Sequence, residues 1–208
     1  PGGSLYDPTL TSYSFSENFF SDLGVYETVS GEQNFLSCFL FNSTLVMMGF
    51  ACLSFILVPR LFKDNKISYV CATIGSYIAM LSGLSFLGVG LTPADLYFHE
   101  HVFFVIVGFR SMVPAMVFLT LAFFFSPVSN KYTVASVLFL LSITLYAFFE
   151  TSDPPDVSPR ENLELFKESV SYNRMVISVI AQKVITLISF VSFFVFTYGF
   201  YQLSLLKK

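Results

Sequence analysis

This sequence is short of charge. Asp, Glu, Lys and Arg make up 12% of its 208 residues, about half of the roughly 25% in an average soluble domain. With 54% hydrophobic residues, 27 phenylalanines and a mean hydropathy of +0.70, a soluble fold of this size could not cover its surface. The same numbers exclude disorder, collagen and coiled coil. Cysteine is also sparse. Cys38, Cys52 and Cys71 all lie within apolar runs, so neither a disulfide framework nor a zinc knuckle is indicated. A signal peptide needs a basic start and then an apolar stretch. Here a polar, turn-rich Pro1-Gly2-Gly3-Ser4 comes first, and about 33 residues precede the first long apolar run. A net charge of −3 gives no reason to expect nucleic acid. No serine-nucleophile motif, phosphate loop or dinucleotide fingerprint occurs. No cofactor is therefore called for, and no nucleophile–base pair marks an enzyme.

What is present are five apolar stretches long enough to cross a bilayer, near 35–58, 67–91, 102–126, 132–149 and 175–203; a spanning helix takes about 20 residues. They are continuous rather than alternating, which excludes a β-barrel. The spacing predicts an all-α, polytopic transmembrane helix bundle, a single membrane domain over 1–208 with an outer N-terminal segment 1–34. Pro59 and Pro127 sit where helices should stop. One set of connections carries Arg60, Lys63, Lys66, Lys131, Lys207 and Lys208 against Asp64 alone. The other carries every remaining acid, with only Arg160, Lys167 and Arg174. Lys and Arg favour the cytoplasmic side. The N-terminus and the 92–101 and 150–174 loops are therefore expected outside and the C-terminus in the cytoplasm, in a plasma membrane.

Two short helices are expected on the outer face. Ser14-Phe15-Ser16-Glu17 reads as a capping box ahead of Phe15, Phe19 and Leu23, with Gly24 as the stop. Ser158-Pro159-Arg160-Glu161 is a second box after an Asp153-Pro154-Pro155-Asp156 turn, followed by Leu163, Phe166 and Val170 on one face. In the second span, Ala79 and Gly83 form a small-xxx-small pair suited to close helix packing.

Charges inside spans are functional hypotheses by default. Arg110 and Lys183 each lie nine residues past an outer boundary, about 13 Å deep. No span contains an acid, and Pro114 removes a backbone bond to the Arg110 carbonyl. Three readings stay open. The cations bond carbonyls and hydroxyls such as Ser111, Thr186 and Ser189. They meet Glu17 or Asp22 if the N-terminal segment dips into the bundle. Or they floor an outward-open cavity that accepts an anionic head group. The 92–101 loop holds both histidines. His99, His101 and Asp95 could offer metal ligands, but the spacing lacks the one-face geometry of His-Glu-x-x-His. A helix-start histidine hydrogen-bonding within the outer cluster is the favoured reading.

Tyr13-Ser14, Asn18, Ser21-Asp22-Leu23-Gly24 and then Phe41-Asn42 entering a span resemble the DUF998 family of small prokaryotic membrane proteins. So do Gly88-Val89-Gly90-Leu91-Thr92-Pro93, followed by His99 or His101, and Tyr172-Asn173-Arg174 before the last span. Broader relatives are the Frag1/DRAM/Sfk1 proteins. The sequence departs from the family pattern at Leu91-Thr92 and Asn173. The resemblance implies six spans, the first ending just before Pro1. A further span is then expected upstream, and the five spans here should leave a groove where it would pack. It implies no assigned activity, although some Frag1-like relatives remodel lipid anchors or act in lipid-dependent sensing.

The resembling residues all fall at one membrane face. The expected site is a polar cluster of Asp22, Asn42, His99, His101 and Arg174 with Arg110 and Lys183 beneath, in which Asp22 pairs with Arg174 or a loop histidine. The expected function is a lipid-binding or lipid-handling protein, with membrane lipids as partners. The alternative is a non-catalytic subunit or scaffold in a larger membrane assembly, where the cluster acts as an internal latch.

Overall fold

The computed structural model describes residues 2–151 and 155–206. Asp153 and Pro154 of the expected turn, and Lys207 and Lys208, lie outside the described residues. Among the described residues six α-helices occur in order: α1 Phe35–Cys52, α2 Lys66–Leu91, α3 Phe98–Phe124, α4 Lys131–Thr151, α5 Leu163–Ser169 and α6 Tyr172–Leu205. Five segments are long and apolar enough to cross a membrane, the first being α1 continued to Phe62. The protein is a membrane-embedded helix bundle.

The first span does not simply stop at Pro59. The α-helix ends at Cys52, and a 3₁₀ stretch, Leu53–Phe62, carries the chain through Pro59. Proline offers no N–H to an α turn, and the tighter i→i+3 pattern accommodates it. Pro114, by contrast, lies inside α3 without ending it. Asn65 starts α2 by accepting the Ile67 and Ser68 N–H groups at 2.9 and 3.1 Å, an N-cap that sets where the second span begins.

Small residues let α1 and α2 approach closely. A Cβ on Gly83 would stand 2.2 Å from the Cys52 Cβ, and one on Gly49 2.5 Å from the Leu87 Cβ, so the expected small-residue packing in α2 is used against α1. Neighbours pack in the order α1, α2, α3, α4, α6. An apolar core lies toward the end away from the N-terminal segment. There Phe62, Phe123 and Leu203 are fully buried, and Phe123 stacks on Phe200 with ring centroids 5.4 Å apart. At the other end, the segment before α1, the α2–α3 loop and α5 form a cap.

The two expected surface helices are both present in shorter form. Only Phe20–Gly24 is helical in the N-terminal segment, and it is 3₁₀. Asn18 Oδ1 takes the Ser14 N–H, while Glu17 turns away to accept from Ser4 and Tyr172. These long-range bonds replace the local capping box. The Ser158–Glu161 box does form, each residue accepting the other's N–H at 3.0 and 3.1 Å. It closes a turn, however, and Asn162 then caps α5. Phe166 buries the inner face of α5.

Candidate functional site

The cap is fastened to α1 by a polar stripe. Asn34 Nδ2 donates to the Leu23 and Val25 carbonyls, Ser37 to Leu23, and Cys38 and Asn42 to Gly24, at 2.8–3.2 Å. Positions 34, 37, 38 and 42 share one helix face. They meet the carbonyls that the 3₁₀ turn leaves without partners. Gly24 has to be glycine, because a Cβ there would lie 2.7 Å from both Asn42 Oδ1 and Phe41 Cδ1.

The cap is fastened to α6 by a cation. Lys183 is buried, 5% exposed, and its ammonium donates to the Asn18 carbonyl at 2.6 Å. The rings of Phe15, Phe20 and Tyr13 stand 5.0, 5.2 and 5.3 Å from Nζ. This is an aromatic box closed around a cation. Gln182 beside it accepts the Phe20 N–H at 2.7 Å. Asp22 accepts from Asn18 Nδ2 at 3.1 Å and from the Phe19 N–H at 2.9 Å. Burial pushes the Asp22 carboxyl up to about 6, against the opposing pull of those two donors and of Lys183. Burial, then the Asp22 charge, also raises the Tyr13 phenol.

Arg160 braces the cap across three segments. It reaches Asp95 Oδ2 at 3.4 Å, the Glu27 carbonyl at 2.9 Å and the Glu27 carboxylate at 3.8 Å. Asp95, whose side chain is 4% exposed, also accepts the Tyr26 and Glu27 N–H groups, each at 3.0 Å. Tyr6 donates to the Val170 carbonyl, and Tyr172 to Glu17 at 3.1 Å, joining the start of the chain to the entry of α6.

Beneath the cap is a cavity of about 1420 Å³, above the roughly 300–1,000 Å³ of ordinary small-molecule sites. Asp22, Asp95, His101 and Arg174 line its cap end. Val105, Phe109 and Met112 of α3 and Leu45 and Met48 of α1 line its depth. Ser178, Gln182, Thr186 and Ser189 put a polar stripe of α6 along it. Some lining residues are also exposed on the outside of the bundle: Thr44 and Ala51 of α1, and Phe190, Phe194 and Thr197 of α6. The cavity therefore opens sideways between α1 and α6.

The structure sorts the expected site residues. Asp22, His101 and Arg174 come together around the cavity, and Asn42 stands behind it under Gly24. Lys183 does not line the cavity. It combines two of the three readings, a backbone carbonyl and the field of Asp22. The cation facing Asp22 is thus Lys183, where Arg174 or a histidine was expected, because the cap dips far enough to reach about three turns into α6. Arg110 is not beneath the pocket either. It belongs to the stripe Phe103, Arg110, Val117 and Phe124, spaced by seven and exposed throughout, while α3 turns a different face inward.

The histidines separate. His101 is buried and its Nδ1 lies 2.7 Å from the Thr92 carbonyl, so Nδ1 carries the proton and Nε2 is left as an acceptor. His99 is exposed and lies 3.8 Å from Glu161. With His99 drawn to Glu161 and Asp95 to Arg160, no group of three metal-ligating side chains forms among the described residues. Sequence reasoning missed Gln182, Asn18, Arg160 and the aromatic box. The available signal was Gln182-Lys183, two polar residues adjacent within a span that offers no acid.

A family model described as a protein of unknown function, DUF998, matches residues 5–162. No curated protein and no solved structure matches the chain significantly.

Proposed function

The chain belongs to the DUF998 family, and on that premise we propose that this membrane protein binds or handles lipid. Acyl chains would lie in the cavity and the head group under the cap. The observation that carries the reading is the cavity itself, apolar along its depth, polar at one end and open sideways between α1 and α6. A lateral opening suits a ligand that arrives from the hydrocarbon rather than from water, because its tails never need to cross a polar phase. The α6 hydroxyls and Gln182 give one wall of the cavity a polar stripe. Asp22, Asp95 and Arg174 at the cap end give both signs of charge, which fits a zwitterionic head group. The excess of Lys and Arg at the opposite end supports a plasma-membrane orientation with the cap outside and the C-terminus in the cytoplasm.

The test is native mass spectrometry of the purified protein. Lipid should be retained by the wild type and reduced in Thr186→Trp, which sets a bulky ring on the α6 wall of the cavity. Leu187→Trp, one residue on and on the exposed face, should keep it. Equal lipid retention by both variants overturns the reading. The open α1–α6 face also fits the alternative, a subunit whose own helix seats there. A stoichiometric protein partner, displaced by substitutions at Phe194 and insensitive to Thr186→Trp, would favour that alternative.

A further inference from the structure

A group of cations lies at the other end of the bundle, away from the cap and its cavity. There the chain builds a second, smaller crevice of about 170 Å³. One wall is the end of the 3₁₀ stretch and its C-cap, with Pro59, Arg60 and Lys63. The other is the first turns of α2, with Tyr69, Thr73 and Tyr77. Positions 69, 73 and 77 are spaced by four and share one helix face. Arg60 and Lys63 are one turn apart on the facing element. Because Pro59 is held in the 3₁₀ stretch, the two cations come directly after a buried anchor, with Val58, Pro59 and Phe62 packed inward and Arg60 and Lys63 exposed. Ser76 also lines the crevice; it is 1% exposed, and its hydroxyl has no hydrogen-bond partner among the described residues.

We propose that this crevice binds a phosphate group, that of an anionic phospholipid in the leaflet at this end. A guanidinium offers a planar fork of donors to phosphate oxygens, and an ammonium adds a point charge. The two phenols are amphipathic groups suited to the membrane boundary, where a phosphodiester sits. The lining is mostly polar, and its volume is too small for an acyl chain, so it takes the head group and leaves the tails in the bilayer. Nothing in this depends on what fills the larger cavity.

The experiment uses the whole protein in phosphatidylcholine nanodiscs, titrated with phosphatidylglycerol and read by retained lipid in native mass spectra. Arg60→Gln with Lys63→Gln should weaken phosphatidylglycerol retention about thirtyfold, the effect of two interfacial cations. Lys131→Gln, at the same end but outside the crevice, should leave it within about twofold. A double variant that retains as much phosphatidylglycerol as the wild type overturns the proposal. So does an equal loss with Lys131→Gln, which would mean diffuse surface attraction. Inorganic phosphate, added at constant ionic strength, separates the two sources of the group. Competition at millimolar concentration would overturn the lipid assignment in favour of the free ion, and lack of competition supports the lipid.

Discussion

Replacing Lys183 with methionine removes the charge that joins cap and bundle while keeping most of the side-chain length. In the wild type the ammonium donates to the Asn18 carbonyl at 2.6 Å and faces three rings at 5.0–5.3 Å. A hydrogen bond to a charged group contributes about 1.5–3 kcal/mol, and each desolvated cation–ring contact about 0.5–2 kcal/mol. Dehydrating the ammonium offsets several kcal/mol of this, so the sum is not the answer. The cost of the substitution lies in what is left behind, a buried carbonyl without its donor and Asp22 without its cation. Leaving a buried acceptor unsatisfied costs about 1–3 kcal/mol. The methionine sulfur recovers about 0.3–1.5 kcal/mol against the rings. Cap closure should therefore weaken by about 1–2 kcal/mol, roughly 5- to 30-fold in the closing equilibrium. Hydrogen exchange reads this directly at the Phe19, Phe20 and Asp22 amides, which are all bonded within or beneath the cap. Those amides should exchange faster by that factor in Lys183→Met and recover most of their protection in Lys183→Arg. Wild-type protection in a folded Lys183→Met protein would refute the role given to the cation.

Asp22 predicts a pH dependence. Its carboxyl is raised from 3.8 to about 6 by burial, so the closed cap holds a proton that the open segment releases. Closure should be strongest below about pH 4, weaken from there to about 6, and stay level above. A spin-label distance between position 16 in the cap and position 187 on the exposed face of α6 should lengthen on raising the pH through that window, and Asp22→Asn should abolish the change; shortening would contradict the sign. Gly24→Ala sets a Cβ 2.7 Å from Asn42 and Phe41 and should lower thermal stability in detergent by about 1–3 kcal/mol; an unchanged melting temperature would show that the latch yields freely. For orientation, in a background without the native cysteines, a cysteine at Asp156 should be labelled from outside intact cells and one at Lys63 should not. The reverse pattern would invert the protein in the membrane.

The spans were legible because a bilayer imposes a length on every apolar run, and α2, for example, begins within one residue of its expected start. The cap was legible only in outline. Ser14 and Glu17 have the residue types of a capping box, yet their bonds go to Asn18, Ser4 and Tyr172. Local pattern cannot foresee a partner 155 residues away. Asp22 and Lys183 were both recognised as requiring partners, from the cost of burying charge, but which partner each takes depends on how far the cap sinks. Arg110 shows the converse. Its depth could be counted along the helix, but its face depends on the roll of α3, and no hydrophobic period marks that in a helix apolar all round.

The two fastenings of the cap differ in chain separation, and this sets an order of assembly. Bonds from α1 to the cap join residues 9 to 18 apart, while those from α6 bridge 155 to 165 residues. Contacts close in sequence form early, and distant ones wait for the intervening chain. During synthesis the N-terminal segment therefore settles onto the first span long before Gln182 and Lys183 exist. Until the sixth helix enters, the space beneath the cap lacks its α6 wall and is continuous with the surrounding hydrocarbon. Its arrival encloses whatever already lies there, so the earliest occupant of the cavity is taken in as the bundle is completed, without passing through the finished portal.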